Sequence, residues 1–397
     1  MKKVLSLLAT SLLIGTMLVG CNGKKVEPID EEELINKLAA NAISDLGVTY
    51  SSFASDGVFF GETNLTTTVK QFVNEGDEKG LNFSVSYSIV SQYEYTKEFL
   101  KLNEDKLVVD EIVLAEDLDT ESKALGGAAY TLKASLKFAG YDEGLNVPGL
   151  KQTDSFVNQK LLDKNWNAIV KVTTTGTLHE IKSVNANDYV LFYGRFGGWY
   201  ENSKAQLYTG AFIYDGDDAV MIYAGSITSD FFNDDGTAKI VPGDAVQVFG
   251  YASPYNGLME IKPKSVVKLE ASDPHATAIQ PLQYTSMTVA QMNAADITDT
   301  GRFVQSEALK LDGALPTMNT GKHWTIKVCA VSDPAQKINI YINYHVGADA
   351  QNAIKSFLEG LGSDSFVFKG VLSSYNAYQL TPVNTESGTA AACFLAA

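Results

Sequence analysis

Most of the chain is patterned for β-structure, in short runs where apolar and polar residues alternate between clusters of Gly, Asp and Asn. Successive side chains on a strand point to opposite faces, so a period of two predicts half-buried strands. Residues 81–90 and 130–138 alternate cleanly, and residues 106–110 make a shorter apolar strand between them. Turns are predicted at 74–77 and 140–142. A helical period appears at 30–46, where Leu34, Leu38, Ala42 and Ile43 recur on one face, Asp30 is placed as N-cap and Gly47 as the stop. Further helical runs are read at 155–162, ahead of a strand at 168–175, and at 289–297, ahead of one at 302–308. Another is read at 349–360, with Ala350, Ile354, Phe357 and Leu358 on one face.

The second half contains an internal repeat. Residues 244–263 match residues 364–382, and Gly250, Tyr255 and Asn256 return 120 positions later as Gly370, Tyr375 and Asn376. Each copy reads as two strands around a Ser-x-Tyr-Asn turn, a hairpin whose register the turn sets. Upstream, residues 212–223 form a hairpin around Asp215-Gly216-Asp217, and its counterpart is read in 324–342. Two five-stranded Greek-key barrels in tandem fit this order.

Two resemblances sharpen the fold. The runs LNFSVSYSIV (81–90), EFLKLNEDKLVV (98–109) and YTLKASLKF (130–138) resemble bacterial immunoglobulin-like domains of surface proteins, which implies a β-sandwich that acts as a spacer or adhesive module. Tyr214-Asp215-Gly216, Pro242-Gly243-Asp244 and strands ending near Gly176 and Gly301 resemble OB-fold domains that accompany secreted bacterial nucleases. The second copy departs from that pattern, carrying Leu361-Gly362-Ser363-Asp364 in place of Pro-Gly-Asp. The expected architecture is mainly β: an immunoglobulin-like sandwich with a short N-terminal helix over 30–150, an OB-like barrel over 155–270, a second over 281–384, and a C-terminal tail over 385–397.

The N-terminus has a different pattern. Lys2 and Lys3 precede an apolar run shorter than the ~20 residues of a membrane-spanning helix, and Leu18-Val19-Gly20-Cys21 resembles the bacterial lipobox. The resemblance implies that residues 1–20 are a signal peptide, that Cys21 carries lipid, and that 21–29 tether the protein to the outer face of a membrane. The expected location is extracytoplasmic.

Composition narrows the chemistry. The net charge of −16 is concentrated in residues 30–150, which hold 22 acidic and 9 basic side chains, whereas 281–384 hold 8 and 7. Neither half has the Lys/Arg excess of a free-standing nucleic-acid binder. His179, His275, His323 and His345 lack zinc-ligand spacing, and no nucleophile elbow or phosphate loop occurs. Asp215, Asp217 and Asp218, and separately Asn233, Asp234 and Asp235, could cradle a cation or serve as ordinary turns. No metal, no cofactor and no enzyme activity is expected. Cys329 is placed in a core strand, and Cys393 in a terminal segment that frays.

The strongest binding candidate is 191–200, read as the connection between the first two strands of the first barrel, with Tyr193, Arg195, Phe196, Trp199 and Tyr200 as aromatic platform and guanidinium. Tyr251 and Tyr255 would complete the surface, with His323-Trp324 and Tyr375 as weaker analogues in the second barrel. The alternative is that these aromatics pack a core or a joint. The expected function is non-catalytic capture of a protein or glycan ligand, and the rival is single-stranded nucleic acid, scavenged as an accessory to a surface nuclease.

Overall fold

The computed structural model describes residues 26–50, 61–91, 98–199, 210–223, 228–319, 321–362, 364–386 and 388–397. The expected signal peptide (1–20), Cys21 and Tyr200 lie outside the described residues. No helix among the described residues is long and apolar enough to cross a membrane.

The N-terminal unit packs a helix and two sheets around one core. Helix α1 (Glu31–Tyr50) starts where the Asp30 carboxylate accepts the Glu33 N–H at 3.1 Å. It runs past Gly47, because Leu46 and Tyr50 on the next turn are buried in the core. Tyr50 also packs its ring 5.6 Å from that of Trp166. The helix buries Leu34, Ile35, Leu38, Ala39 and Ala42. One sheet joins β1 (Gly61–Asn64), β5 (Lys106–Val109) and β4 (Lys101–Asn103). The other is antiparallel, in the order β2 (Thr68–Gln71), β3 (Leu81–Ser91), β6 (Gly127–Tyr141) and β7 (Lys160–Lys171). Residues 155–162 are therefore not helical. Asn158 adopts a positive φ of 66°, its N–H bonds Phe138 O at 2.8 Å, and the chain turns back to pair with β6. The strand expected at 168–175 is divided, its first part ending β7 and its last two residues forming β8 (Thr174–Thr175).

The first barrel uses β9 (Tyr189–Trp199), β10 (Gly210–Asp215), β11 (Asp218–Tyr223), β12 (Ala245–Ala252) and β13 (Glu260–Lys268). Pairings 9-10, 10-11, 11-13, 13-12 and 12-9 close it, with β11 and β13 parallel. In barrel numbering the order is 1-2-3-5-4-1, that of the OB fold. Thus residues 191–199 are most of the first barrel strand, and not a connection between strands. The core inside contains Val190, Phe192, Phe196, Ile213, Val248 and Ile261.

The second sheet repeats this order. β14 (Thr285–Met287) runs parallel to β15 (Phe303–Ser306), as β8 does to β9. β15 and β16 (Leu309–Leu311) share the first-strand role, followed by β17 (Trp324–Ala330), β18 (Lys337–Ile342), β19 (Phe366–Ser374) and β20 (Tyr378–Thr381). The β18–β20 pairing is again parallel. Both copies open with a capped helix, α2 (Leu178–Ile181) behind Thr177 and Glu180, and α3 (Val289–Asn293) behind Thr288 and Gln291. Helix α4 (Ala348–Leu361) sits between the third and fourth strands and buries Ala350, Ile354 and Leu358. The tail does not fray: β21 (Phe394–Ala396) pairs with β19, and Phe394 packs against Phe357, Phe366 and Phe368. Cys393 is a buried free thiol whose burial pushes its pKa up to about 12, and Cys329 is buried and free as well.

Candidate functional site

The first barrel's strand β9 presents two faces. Phe196 points into the core, 5.5 Å from the Phe231 ring, and so is a packing residue with no surface for a ligand. On the outer face Tyr189 and Leu191 pack with Ile112 and Leu114 of the N-terminal unit. Tyr193 lies flat on His275, with ring centroids 3.8 Å apart and planes within 2°. Arg195 donates from Nη1 to Gly243 O at 2.9 Å. Trp199 ends the strand opposite Ala211. Tyr251 packs 5.9 Å from Tyr189, beneath the Lys264 ammonium at 5.6 Å. The outer face of β9 is thus a joint over most of its length, the packing alternative left open by the sequence.

The Asp-rich hairpin is also a joint. The Asp215 carboxylate accepts the Gln280 N–H at 2.7 Å, Asp217 accepts the Thr285 hydroxyl, and Asp218 is ion-paired to Lys182. The Lys182 ammonium, fully buried, also donates to Thr300 O at 3.1 Å on the lead-in to the second barrel. Burial lowers its pKa and the Asp218 charge opposes that shift. Beside this clamp Phe303 sits among Phe212, Tyr214 and Tyr284, ring centroids 5.8 to 6.4 Å away, and the apolar seam continues through Met221, Leu258, Val371 and Val383. Burial raises the Tyr284 pKa to about 12. In the second Asp-rich turn, Asp235 accepts the Thr237 N–H and hydroxyl at 2.9 and 2.6 Å, a local turn.

What the joint leaves open is a cleft of about 630 Å³ between the barrels. From the first barrel it takes Phe212 on β10, Met221 and Tyr223 on β11, and the hairpin residues Tyr255, Leu258 and Glu260. From the second it takes His323 and Thr325 at β17, Asn339 and Tyr341 on β18, and the hairpin residues Ser373, Ser374, Tyr375, Gln379 and Thr381. In barrel terms each copy contributes strands two and three and the four-to-five loop, the face on which OB folds bind oligonucleotides and oligosaccharides.

The hairpin tips set the geometry. Asn256 (φ 49°) and Gly257 (φ 84°) form the tight turn between Tyr255 and Leu258, whose backbones exchange hydrogen bonds at 2.9 and 3.0 Å. Asn376 takes a φ of 60° at the equivalent turn. The tips touch: Asn256 O accepts the Asn376 N–H at 3.1 Å and the Ser374 hydroxyl at 2.9 Å. Tyr255 and Tyr375 are 53% and 58% exposed, with ring centroids 6.2 Å apart at 56°. Across the cleft His323 stacks on Tyr341 at 5.3 Å, its Nδ1 within 2.7 Å of the Tyr341 hydroxyl, and meets Tyr344 edge-on at 4.9 Å. Of the described lining residues none is Lys or Arg, and Glu260 is the acidic one.

Of the candidates read from sequence, Tyr255, Tyr375 and His323 come together here, while Trp324 is buried in the second core and Tyr193, Arg195, Phe196 and Tyr251 lie elsewhere. Tyr223, Glu260, Asn339, Tyr341 and Gln379 carried no local signal. The signal that pointed here was the repeated Tyr-Asn turn.

No protein-family model matches the sequence, and no curated protein is significantly similar to it. Among solved structures, a putative aspartyl-tRNA synthetase from Leishmania major Friedlin aligns at 16% identity and a TM-score of 0.18, over 30% of this chain and 24% of that one. This chain therefore spans about a quarter of that protein's length. A replication protein A heterotrimer bound to ssDNA aligns at 10% identity and a TM-score of 0.20, over 75% of this chain and 92% of that one. The Ifi202 HINa domain in complex with 20-bp dsDNA aligns at 10% identity and a TM-score of 0.25, over 50% and 93%. At these scores the superpositions carry no argument about what this chain binds.

Proposed function

We propose that this protein is a non-catalytic, lipid-anchored binding protein of the cell surface, and that it captures an oligomeric or macromolecular ligand, glycan or protein, in the cleft between its two barrels. The observation that carries the reading is the convergence of both barrels' binding faces on one aromatic cleft, with the Tyr255 and Tyr375 rings at its rim. Exposed tyrosines offer flat apolar area at small entropic cost, and the neutral hydroxyl and amide side chains around them supply orientation. The described lining residues do not suit a phosphate backbone, which calls for Lys and Arg in the groove, whereas they include Glu260 and neither of those.

The location rests on the lipobox and the role of Cys21. Metabolic labelling with a palmitate analogue should mark the protein, and Cys21→Ala should abolish the label; equal labelling of both would remove the anchor from the account. Ligand class is tested by presenting the full mature chain to glycan, peptide and oligonucleotide panels at two salt concentrations. Retained glycan or peptide binding at high salt supports the reading. Tight oligonucleotide binding that weakens steeply with salt would replace it with the nucleic-acid alternative.

A further inference from the structure

The cleft is built from two equivalent halves. Tyr255 and Tyr375 occupy the same place in the repeat, on tips that touch through Asn256 O. Equivalence extends to the fifth strand of each barrel. Glu260 pairs with Met221 across the parallel β11–β13 ladder, and Gln379 pairs with Asn339 across the parallel β18–β20 ladder. The residues that follow, Ile261 and Leu380, are both fully buried, so Glu260 and Gln379 hold one position in the two barrels. Each half therefore presents an exposed tyrosine ring and, a few residues on, a side chain with carboxylate or amide acceptors.

We propose, on the reading that the cleft is the binding site, that the two halves hold successive units of one uncharged glycan chain lying across both tips. A pyranose ring has an apolar C–H face that covers a tyrosine and an equatorial rim of hydroxyls that both donate and accept. Asn339 and Gln379 stand side by side on hydrogen-bonded strands, ~4.8 Å apart, and each amide carries a donor and an acceptor. That pairing suits neighbouring hydroxyls on one ring. The described lining residues include no Lys or Arg to hold a uronate, sulfate or phosphate, so the preferred chain is neutral. The paired tyrosine tips suit successive units of one chain, and binding at one tip raises the effective concentration of the next unit at the other.

The test is calorimetric titration of the full mature chain with neutral hexaoses of glucose, mannose, galactose, xylose and N-acetylglucosamine, and with each corresponding monosaccharide. At least one hexaose should bind, with its monosaccharide weaker by about a hundredfold. Tyr255→Ala and Tyr375→Ala should each weaken that hexaose about tenfold, while Tyr255→Phe and Tyr375→Phe, which keep the ring, should retain most of the affinity. Unchanged thermal unfolding of the alanine variants shows that the tips are intact. The inference is overturned if no hexaose binds, if the monosaccharide binds as tightly as the hexaose, or if only one of the two tyrosines matters. Should a peptide or oligonucleotide bind instead and be lost in Tyr255→Ala, the cleft stands and the glycan falls. If a bound ligand of any kind is indifferent to both alanine variants, the cleft itself is the wrong site.

Discussion

Lys182→Met should loosen the joint between the barrels. The methionine keeps most of the aliphatic stem and removes the ammonium, leaving the Asp218 carboxylate without its ion-pair partner and Thr300 O without its donor. Breaking a buried pair by removing one member costs about 3–5 kcal/mol. The Asp218 side chain keeps 18% of its surface in solvent, so water recovers part of the loss. The expected destabilisation is therefore at the low end, about 3 kcal/mol. For a cooperative unit the size of the barrel pair, ~2–4 °C of melting temperature accompany each kcal/mol, so the transition should fall by roughly 6–12 °C. Differential scanning calorimetry of the full chain reads this directly. Lys182→Met combined with Asp218→Leu removes both members and should recover much of the loss, because no unpaired charge remains. A loss under about 1 kcal/mol for Lys182→Met, or a double variant whose effects simply add, would refute the claim that Lys182, held by Asp218, ties the first barrel to Thr300 O of the second.

Further expectations concern other parts of the fold. Phe303→Ala empties the centre of the aromatic seam and should cost about 3–5 kcal/mol, read as a lower urea midpoint; a loss below 1 kcal/mol would mean the seam is not packed as described. Gly257→Ala forces a Cβ onto a positive-φ position, 2.6 Å from Ser374 Oγ, and should cost on the order of 1–2 kcal/mol and shift backbone amide signals at both hairpin tips. Signals disturbed at one tip alone would show that the tips do not meet. In the N-terminal unit, the Lys70 ammonium, the Asn82 amide and the Gly80 N–H hold Asp142 well below the usual carboxylate range, as Lys160, Ser135 and Lys133 do for Asp163. A lowered folded pKa gives stability that is present above the unfolded value of about 3.9 and is lost as pH falls toward the folded one. Urea midpoints should therefore drop as pH falls below about 4, with a shallower drop in Asp142→Asn and Asp163→Asn; identical profiles for all three proteins would contradict this.

Much of the fold was legible because local pattern and tertiary environment agree. β3 and β6 alternate since one face meets the core, and α4 shows its apolar stripe because only one side is covered. β9 was misread for the opposite reason. Its inner face fills the first barrel while its outer face is covered by Ile112, Leu114 and His275, so both faces are apolar and alternation disappears. Residues 155–162 placed Phe156, Val157, Leu161 and Leu162 at a spacing that suits a helix, and the positive φ at Asn158 that redirects the chain is not written in hydropathy. The cleft was legible only through its repeat. Tyr255 and Tyr375 share a motif, but Tyr223, Glu260, Tyr341 and Gln379 meet because two barrels dock, and that docking depends on Lys182, Asp217 and Phe303, whose roles no short stretch of sequence displays.

Hydroxyl-radical footprinting of the tyrosines, with and without a bound ligand from the panels, tests the central claim most directly. The account predicts protection of Tyr255 and Tyr375 together, with Tyr193 and Tyr251 unchanged. Protection of Tyr193 and Tyr251 with Tyr255 and Tyr375 still reactive would place the ligand on the first barrel's outer strand and contradict it.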